Sequence, residues 1–180
     1  MEDCKLCQAL VNSRRQSVPS WGNKNSSLYF IGEAPGKEED KLGVPFVGRS
    51  GALLRRLITV IFDIEPRDTY ILNVVKCRPE SNRTPYNKEI RTCFEQYLEK
   101  ELDTSHKIII TLGRIPWYAL MGFEKKMKDI HGRKFSYNNH ALFPTYHPAA
   151  VVRNNSLLET LKNDLRTVND FYKINSLSLS

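Results

Sequence analysis

Short apolar runs separated by stretches of helical periodicity are the strongest structural signal in this chain. Ser27 to Ile31 (SLYFI) is an aromatic and aliphatic run that ends at Gly32. Tyr70 to Val75 (YILNVV), Lys107 to Leu112 (KIIITL) and Ala141 to Tyr146 have the same character, and all four predict buried strands. Ser50 to Phe62 (SGALLRRLITVIF) spaces its apolar residues as a helix does, and helices are also expected over Asn87 to Leu102 and Ile115 to Met121. Ser156 and Glu159 have the spacing of a capping box, so a last helix is expected from Ser156 to about Tyr172, with INSLSLS frayed behind it. Strands alternating with helices make βαβ units whose crossovers cover both faces of a parallel sheet. The expected fold class is therefore α/β, a three-layer α/β/α sandwich with a four-stranded parallel sheet, forming a single domain over residues 1–180. No repeat or linker interrupts it, and the polar stretch from Gln8 to Asn25 receives no assignment.

Ligands of open parallel sheets bind beyond the carboxyl ends of the strands, and the unusual residues of this sequence fall there. Gly32-Glu33-Ala34-Pro35-Gly36 follows the first strand, Asn73 and Cys77 close the second, Gly113 follows the third, and His147-Pro148 the fourth. Alone, the glycine-rich segment is as easily a plain strand-to-helix turn, and it matches neither a P-loop nor the G-x-G-x-x-G of dinucleotide binders. Its acidic continuation, with Glu39, leads to Pro45-Phe46-Val47-Gly48, where an aromatic in an irregular loop is placed to stack on a flat ligand. A core position is the competing fate of Phe46. Asn73 is a polar residue in an apolar run, and its carboxamide matches the O4 and N3–H of uracil, though solvation at the strand end would also satisfy it. His147 is either a satisfied surface histidine or a donor facing charge that develops on a ligand. Val151-Val152-Arg153 combines an apolar wedge with a cation, suited to a base step and a phosphate, or else anchors the final helix.

Composition narrows the choice. Lys and Arg outnumber Asp and Glu by 27 to 20, a formal charge of +7, which makes a polyanion a plausible partner without proving one. No apolar run approaches the roughly 20 residues of a membrane span, so no membrane partner is expected. The N-terminus lacks a secretory apolar stretch and carries acidic residues that transit peptides avoid, so a cytoplasmic location is expected. Disulfides are not expected there. The cysteines are Cys4, Cys7, Cys77 and Cys93, one C-x-x-C pair and two single thiols. Zinc sites usually use two pairs, so this asymmetric set lies closer to an iron–sulfur ligand set, although spacing leaves zinc open.

Several segments in the right order carry a resemblance. CKLC at the start, GEAPGKEEDKLGVPFVGRSGALL, ILNVVKCRPESNRTP, Cys93 at its distance from Cys77, and YHPAAVVRN make the chain similar, over essentially its whole length, to the family 4 iron–sulfur uracil-DNA glycosylases. The resemblance implies a [4Fe–4S] cluster on Cys4, Cys7, Cys77 and Cys93, and hydrolytic removal of uracil from single- or double-stranded DNA in base excision repair, by a monomer. Gly32, Glu33 and Ala34 would line the uracil pocket, Phe46 would stack on the base, Asn73 would read its edge, and His147 would bond uracil O2. Val151, Val152 and Arg153 would enter the duplex. Where better-known relatives carry an Asp that activates water, Ala34 stands here, as is usual for this branch. Glu33 and Glu39 are then the carboxylates to consider for catalysis, and Asn82 is a further candidate on the DNA side. The basic, His-containing insertion of a related branch that bonds covalently to DNA is absent after strand two. A catalytically silent uracil- or single-strand-binding protein on the same scaffold, and a zinc-bound DNA-binding module, are the competing readings.

Overall fold

In the computed structural model, which describes Met1, residues 4–102 and residues 106–177, each of the four apolar runs is a strand. The first half of the chain forms α1 (Gln8–Ser13), β1 (Trp21–Gly22), β2 (Leu28–Gly32), α2 (Lys37–Leu42), α3 (Arg49–Phe62), β3 (Tyr70–Asn73) and α4 (Asn87–Cys93). A π turn over Phe94–Leu98 joins α4 to α5 (Glu99–Leu102). Then come β4 (Ile108–Leu112), α6 (Arg114–Met121), α7 (Met127–Ile130), β5 (Phe135–Tyr137), β6 (His140–Thr145), α8 (Pro148–Arg153) and α9 (Leu158–Leu177).

The sheet has six strands in the order β1-β3-β2-β4-β6-β5. Its four central strands are mutually parallel, as the sequence predicts, and the short β1 and β5 pair antiparallel at the two edges. Those edge strands are two and three residues long, too short for a period to register. Successive residues of a strand face opposite sides, so Tyr29 and Ile31 of β2 enter one core, and Leu28 and Phe30 the other. The first core packs against Leu10 of α1, Ile90 of α4 and Trp117 of α6. The second packs against Leu54 and Ile58 of α3, Val151 of α8 and Leu161 of α9. Both faces being covered explains why the central strands read as continuous apolar runs.

The polar stretch from Gln8 to Asn25 holds α1 and β1, and it is tied down by side chains. Asp40 of α2 accepts the backbone N–H groups of Arg15 (2.9 Å) and Gln16 (3.4 Å). The capping box at Ser156 is replaced by another arrangement: Asn154 Oδ1 accepts both the N–H and the hydroxyl of Ser156, and Glu159 pairs with Lys162. Residues 155–157 form a 3-10 turn, and α9 continues to Leu177, five residues beyond Tyr172, through part of the segment expected to fray. Residues 178–180 lie outside the described residues. Among those described, no helix is long and apolar enough to cross a membrane.

Among the described residues, the least exposed ion pair is Lys76–Glu101. Lys76, 1% exposed, donates to Glu101 at 2.6 Å and to Ser20 Oγ at 2.9 Å, while the hydroxyls of Ser20 and Tyr70 donate to the other carboxylate oxygen. Removing one member of a buried pair strands the other charge and costs about 3–5 kcal/mol, whereas an apolar pair of similar volume is near neutral. Glu101→Ala should therefore destabilise the protein strongly in urea melts, and Lys76→Met combined with Glu101→Leu should recover most of the loss. A cost below about 1 kcal/mol for the single change would mean that the pair does not stabilise the fold.

Candidate active site and thiol cavity

The carboxyl ends of β2, β3 and β6 open onto one cavity of about 420 Å³. Glu33, Ala34, Glu39, Phe46, Asn73, Asn82, His147 and Arg153 all line it, so most of the residues singled out in the sequence meet in one place. Gly32 lies beneath. A Cβ there would stand 2.3 Å from Asn73 Oδ1 and 2.5 Å from Phe46 Cζ, which is why the end of β2 must be bare.

Phe46 is held in place by its loop. Glu39, in the first turn of α2, accepts the N–H of Gly36 with one oxygen (3.1 Å) and the N–H groups of Val47 (2.9 Å) and Gly48 (2.8 Å) with the other. Arg55 of α3 grips the same loop from behind, donating to the carbonyls of Phe46 (2.9 Å) and Pro45 (3.0 Å). Between these clamps Phe46 takes φ +55°, a conformation a non-glycine residue rarely adopts. Its ring lies 5.7 Å from that of His147, at 25° to it. Gly51 permits this, because a Cβ there would come within 2.0 Å of the Phe46 carbonyl carbon.

His147 caps α8, and its Nδ1 accepts the Ala149 N–H at 3.0 Å. The ring proton must then sit on Nε2, a donor with no partner among the described residues. Burial, reinforced by the charge of Arg153, lowers the His147 pKa to about 4, so the imidazole is neutral near pH 7. Burial raises the Glu33 carboxyl above its ordinary range, against the pull of Arg114 and Arg153. Asn73 is 3% exposed, and its Oδ1 is buried without a hydrogen-bond partner among the described residues. Such a group is costly unless a ligand completes it.

The outer residues divide. Asn82, at φ +57°, accepts from Arg78 Nε at 2.8 Å on the cavity wall. Val151 turns inward: it is 2% exposed and packs in the core beside α3, so it anchors α8 and is not a wedge. Val152, 43% exposed, and Arg153 are left on the outside. Sequence reasoning missed Arg55 and Gly51. Gly51 carried a signal, since a glycine inside an amphipathic helix is costly and marks a close backbone approach; Arg55 carried none.

A second cavity is lined by Lys76 and Cys77 of the chain segment that leaves β3. Cys4, Cys7, Cys77 and Cys93 all line it, with Arg14, Ser17, Lys76 and Tyr97. Arg14 donates to Cys77 Sγ and to the Cys4 carbonyl, both at 2.8 Å, and the Lys76 N–H donates to Cys93 Sγ at 3.4 Å. Burial pushes Cys93 up to about 12 and also raises Cys7 and Cys77. Burial acts upward on Cys4 as well, but hydrogen bonds from Tyr97 and the Leu6 backbone, with the charge of Arg14, bring it below the ordinary thiol value. Among the described residues, no three His, Cys, Asp or Glu side chains gather closely enough to hold a single metal ion.

Residues 19–172 match the sequence profile of the Uracil DNA glycosylase superfamily. The chain is 40% identical over 176 residues to the type-4 uracil-DNA glycosylase of Saccharolobus solfataricus, an overlap of 93% of this chain and 81% of that one. It is 39% identical over 176 residues to the Sulfurisphaera tokodaii protein of the same name, covering 93% and 79% of the two chains. A third type-4 uracil-DNA glycosylase, from Thermotoga maritima, is 34% identical over 177 residues, 96% of this chain and 91% of its own.

The lowered His147 pKa has a consequence for stability. The unfolded chain protonates this histidine near 6.5 and the folded chain only near 4, so stability is lost as pH falls through that window. His147→Gln should flatten the slope of unfolding free energy between pH 6.5 and 4. An unchanged slope would mean that the folded imidazole is not held neutral.

Proposed function

This chain belongs to the uracil-DNA glycosylase superfamily, in its type-4 branch, and we propose from that membership that it hydrolyses the N-glycosidic bond of uracil in DNA. The products are free uracil and an abasic site, the opening step of base excision repair. The observation that carries this reading is the meeting of Phe46, Asn73 and His147 around one cavity at the carboxyl end of the sheet. A base within a duplex is out of reach, so the target must leave the stack, at a cost of a few kcal/mol that is smaller in single strands. The extruded uracil lies against Phe46. The Asn73 carboxamide accepts from N3–H and donates to O4, a pairing that cytosine reverses.

As the bond to the sugar breaks, negative charge gathers on uracil and positive charge on the deoxyribose. His147 donates from Nε2 to O2 and stabilises the leaving anion by hydrogen bonding, without giving up its proton. Glu33 is the better candidate to face the sugar and activate water, because it lines the cavity and its carboxylate accepts no hydrogen bond from the described residues. Both oxygens of Glu39 are committed to backbone N–H groups, so Glu39 positions Phe46 and is not the base. Val152 is the apolar side chain placed to enter the gap in the stack, with Arg153 on a phosphate. The proposed working unit is a single chain.

The four thiols suit a [4Fe–4S] cluster on Cys4, Cys7, Cys77 and Cys93. A zinc ion with sulfurs at about 2.3 Å would draw its ligands to one point. Cys4, Cys7, Cys77 and Cys93 share one cavity, and each would supply one thiolate to the cluster. Such a cluster would cross-link the N-terminal segment to the β3 exit, and it favours a reducing, cytoplasmic setting.

Incubation with a uracil-containing oligonucleotide followed by alkaline cleavage should reveal abasic sites. Loss of one preorganised donor costs about 10²–10³ in rate, so His147→Ala should lower uracil release by that factor while the brown colour and the fold persist. Full activity in that variant would remove the mechanism. Asn73→Asp should erode the choice of uracil over cytosine. The acid limb of kcat/KM should lie above the ordinary glutamate range, since Glu33 must lose its proton to act and burial delays that loss. Glu33→Gln should abolish the limb, and its persistence would transfer the role to another group.

A further inference from the structure

We infer that Ser17 and Arg14 are the hydrogen-bond donors that secure the iron–sulfur cluster and set its reduction potential, an inference that rests on the cluster reading above. Ser17 is 6% exposed, lines the thiol cavity, and its hydroxyl has no hydrogen-bond partner among the described residues. The hydroxyl is not free to wander to another. Val18, the next residue, donates its N–H to the Lys76 carbonyl at 2.7 Å, and Gln16, the residue before, is held by Asp40. The backbone therefore fixes Ser17 at the cavity wall from both sides. What the cavity would contain, sulfide and thiolate, accepts hydrogen bonds and donates none, so a lone hydroxyl donor there is complementary to it.

Arg14 completes the pair from the other side. One guanidinium nitrogen donates to Cys77 Sγ and another to the Cys4 carbonyl, both at 2.8 Å. A single planar cation thus spans the two halves of the ligand set, which are 73 residues apart in sequence (Cys4 to Cys77). Hydrogen bonds to the sulfurs of a cluster draw electron density away and raise its potential, and a neighbouring positive charge acts in the same direction. Neither residue lines the base pocket, so both are positioning residues for the cluster, with no part in bond cleavage.

The test uses the iron-loaded protein and its Ser17→Ala, Arg14→Gln and Arg14→Lys variants. The readouts are iron and sulfide content, the absorbance near 400 nm, the one-electron midpoint potential at an electrode, and the rate of bleaching by an iron chelator. Ser17→Ala should shift the one-electron equilibrium toward the oxidised cluster by about tenfold, a fall of about 59 mV. Arg14→Gln should shift it at least as far and bleach about 10–100 times faster, the usual cost of losing an outer-sphere partner. Arg14→Lys, which restores charge without the fork, should recover part of the potential but less of the retention. A wild-type potential in both Ser17→Ala and Arg14→Gln, with iron and sulfide intact, would overturn the inference. Wild-type protein without iron or sulfide would instead overturn the cluster reading beneath it. Ser17→Ala removes one buried hydroxyl and no volume the core needs, so the test survives even if Arg14→Gln fails to fold.

Discussion

The three backbone N–H groups gathered by Glu39 are the constraint on which the pocket depends. A carboxylate at 8% exposure must be paired, and this one is satisfied by folding residues 36–48 back onto the first turn of α2. That closure, with Arg55 behind it, holds Phe46 at a positive φ. The bare backbone of Gly32 and Gly51 then lets its ring settle between the end of β2 and α3, facing His147. Strain at one residue is offset by hydrogen bonds at its neighbours. Phe46 is only 4% exposed and packs in the core on the α3 side of the sheet, as the competing reading of this residue expected, while it also lines the cavity.

Electrostatics follow from the same burial. A neutral imidazole donor is matched to a leaving group that is itself weakly basic, since a full positive charge would also hold water and phosphate in the pocket. The fold keeps the ring neutral in two ways: it withholds solvent, and it places Arg153 nearby. The Ala149 N–H then fixes which nitrogen carries the proton. Glu33 experiences the opposite result of the same desolvation, a raised carboxyl, though the two arginines temper it. The same partly buried pocket thus favours a neutral histidine and raises a neighbouring carboxyl.

Much of this was legible in the sequence, for identifiable reasons. Four doubly covered strands appear as apolar runs, and the residues that break those runs, Gly32, Asn73 and His147, mark the strand ends where a ligand binds. What failed to appear was set by short elements and by orientation. The six-residue helices α1, α2 and α8 are too short to establish a period. Val151 and Val152 look alike in sequence, yet helix geometry turns adjacent residues about 100° apart, so only one of them can face outward. Glu33 and Glu39 are two acidic residues six positions apart, and only hydrogen bonding separates a free carboxylate from a committed one. At the last helix, Ser156 had a cap's spacing, but Asn154 lies two residues earlier and reaches the same N–H.

The two cavities share one stretch of chain, which ties the thiol cavity to the wall of the base pocket. Cys77 faces the thiols, and Pro79, Asn82, Arg83 and Thr84 line the base pocket a few residues later. Between them the backbone has no ladder to rely on, and Ser81 and Asn82 both take positive φ. Its supports are side chains: Ser13 Oγ donates to the Arg78 carbonyl at 2.8 Å, Arg78 donates to Asn82, and Arg83 forms a fork with Glu89 at 2.7 and 2.8 Å. Such a wall is only as fixed as its ends. The Arg83 end is held by that ion pair and by stacking on Tyr86 at 3.8 Å. The Cys77 end is held by the Arg14 hydrogen bond to its thiol and by the neighbouring Lys76, whose carbonyl accepts the Val18 N–H and whose ammonium pairs with Glu101. A group that bridged all four thiols would add one more tie at the Cys77 end, to the N-terminal segment, without reaching the residues that line the base pocket.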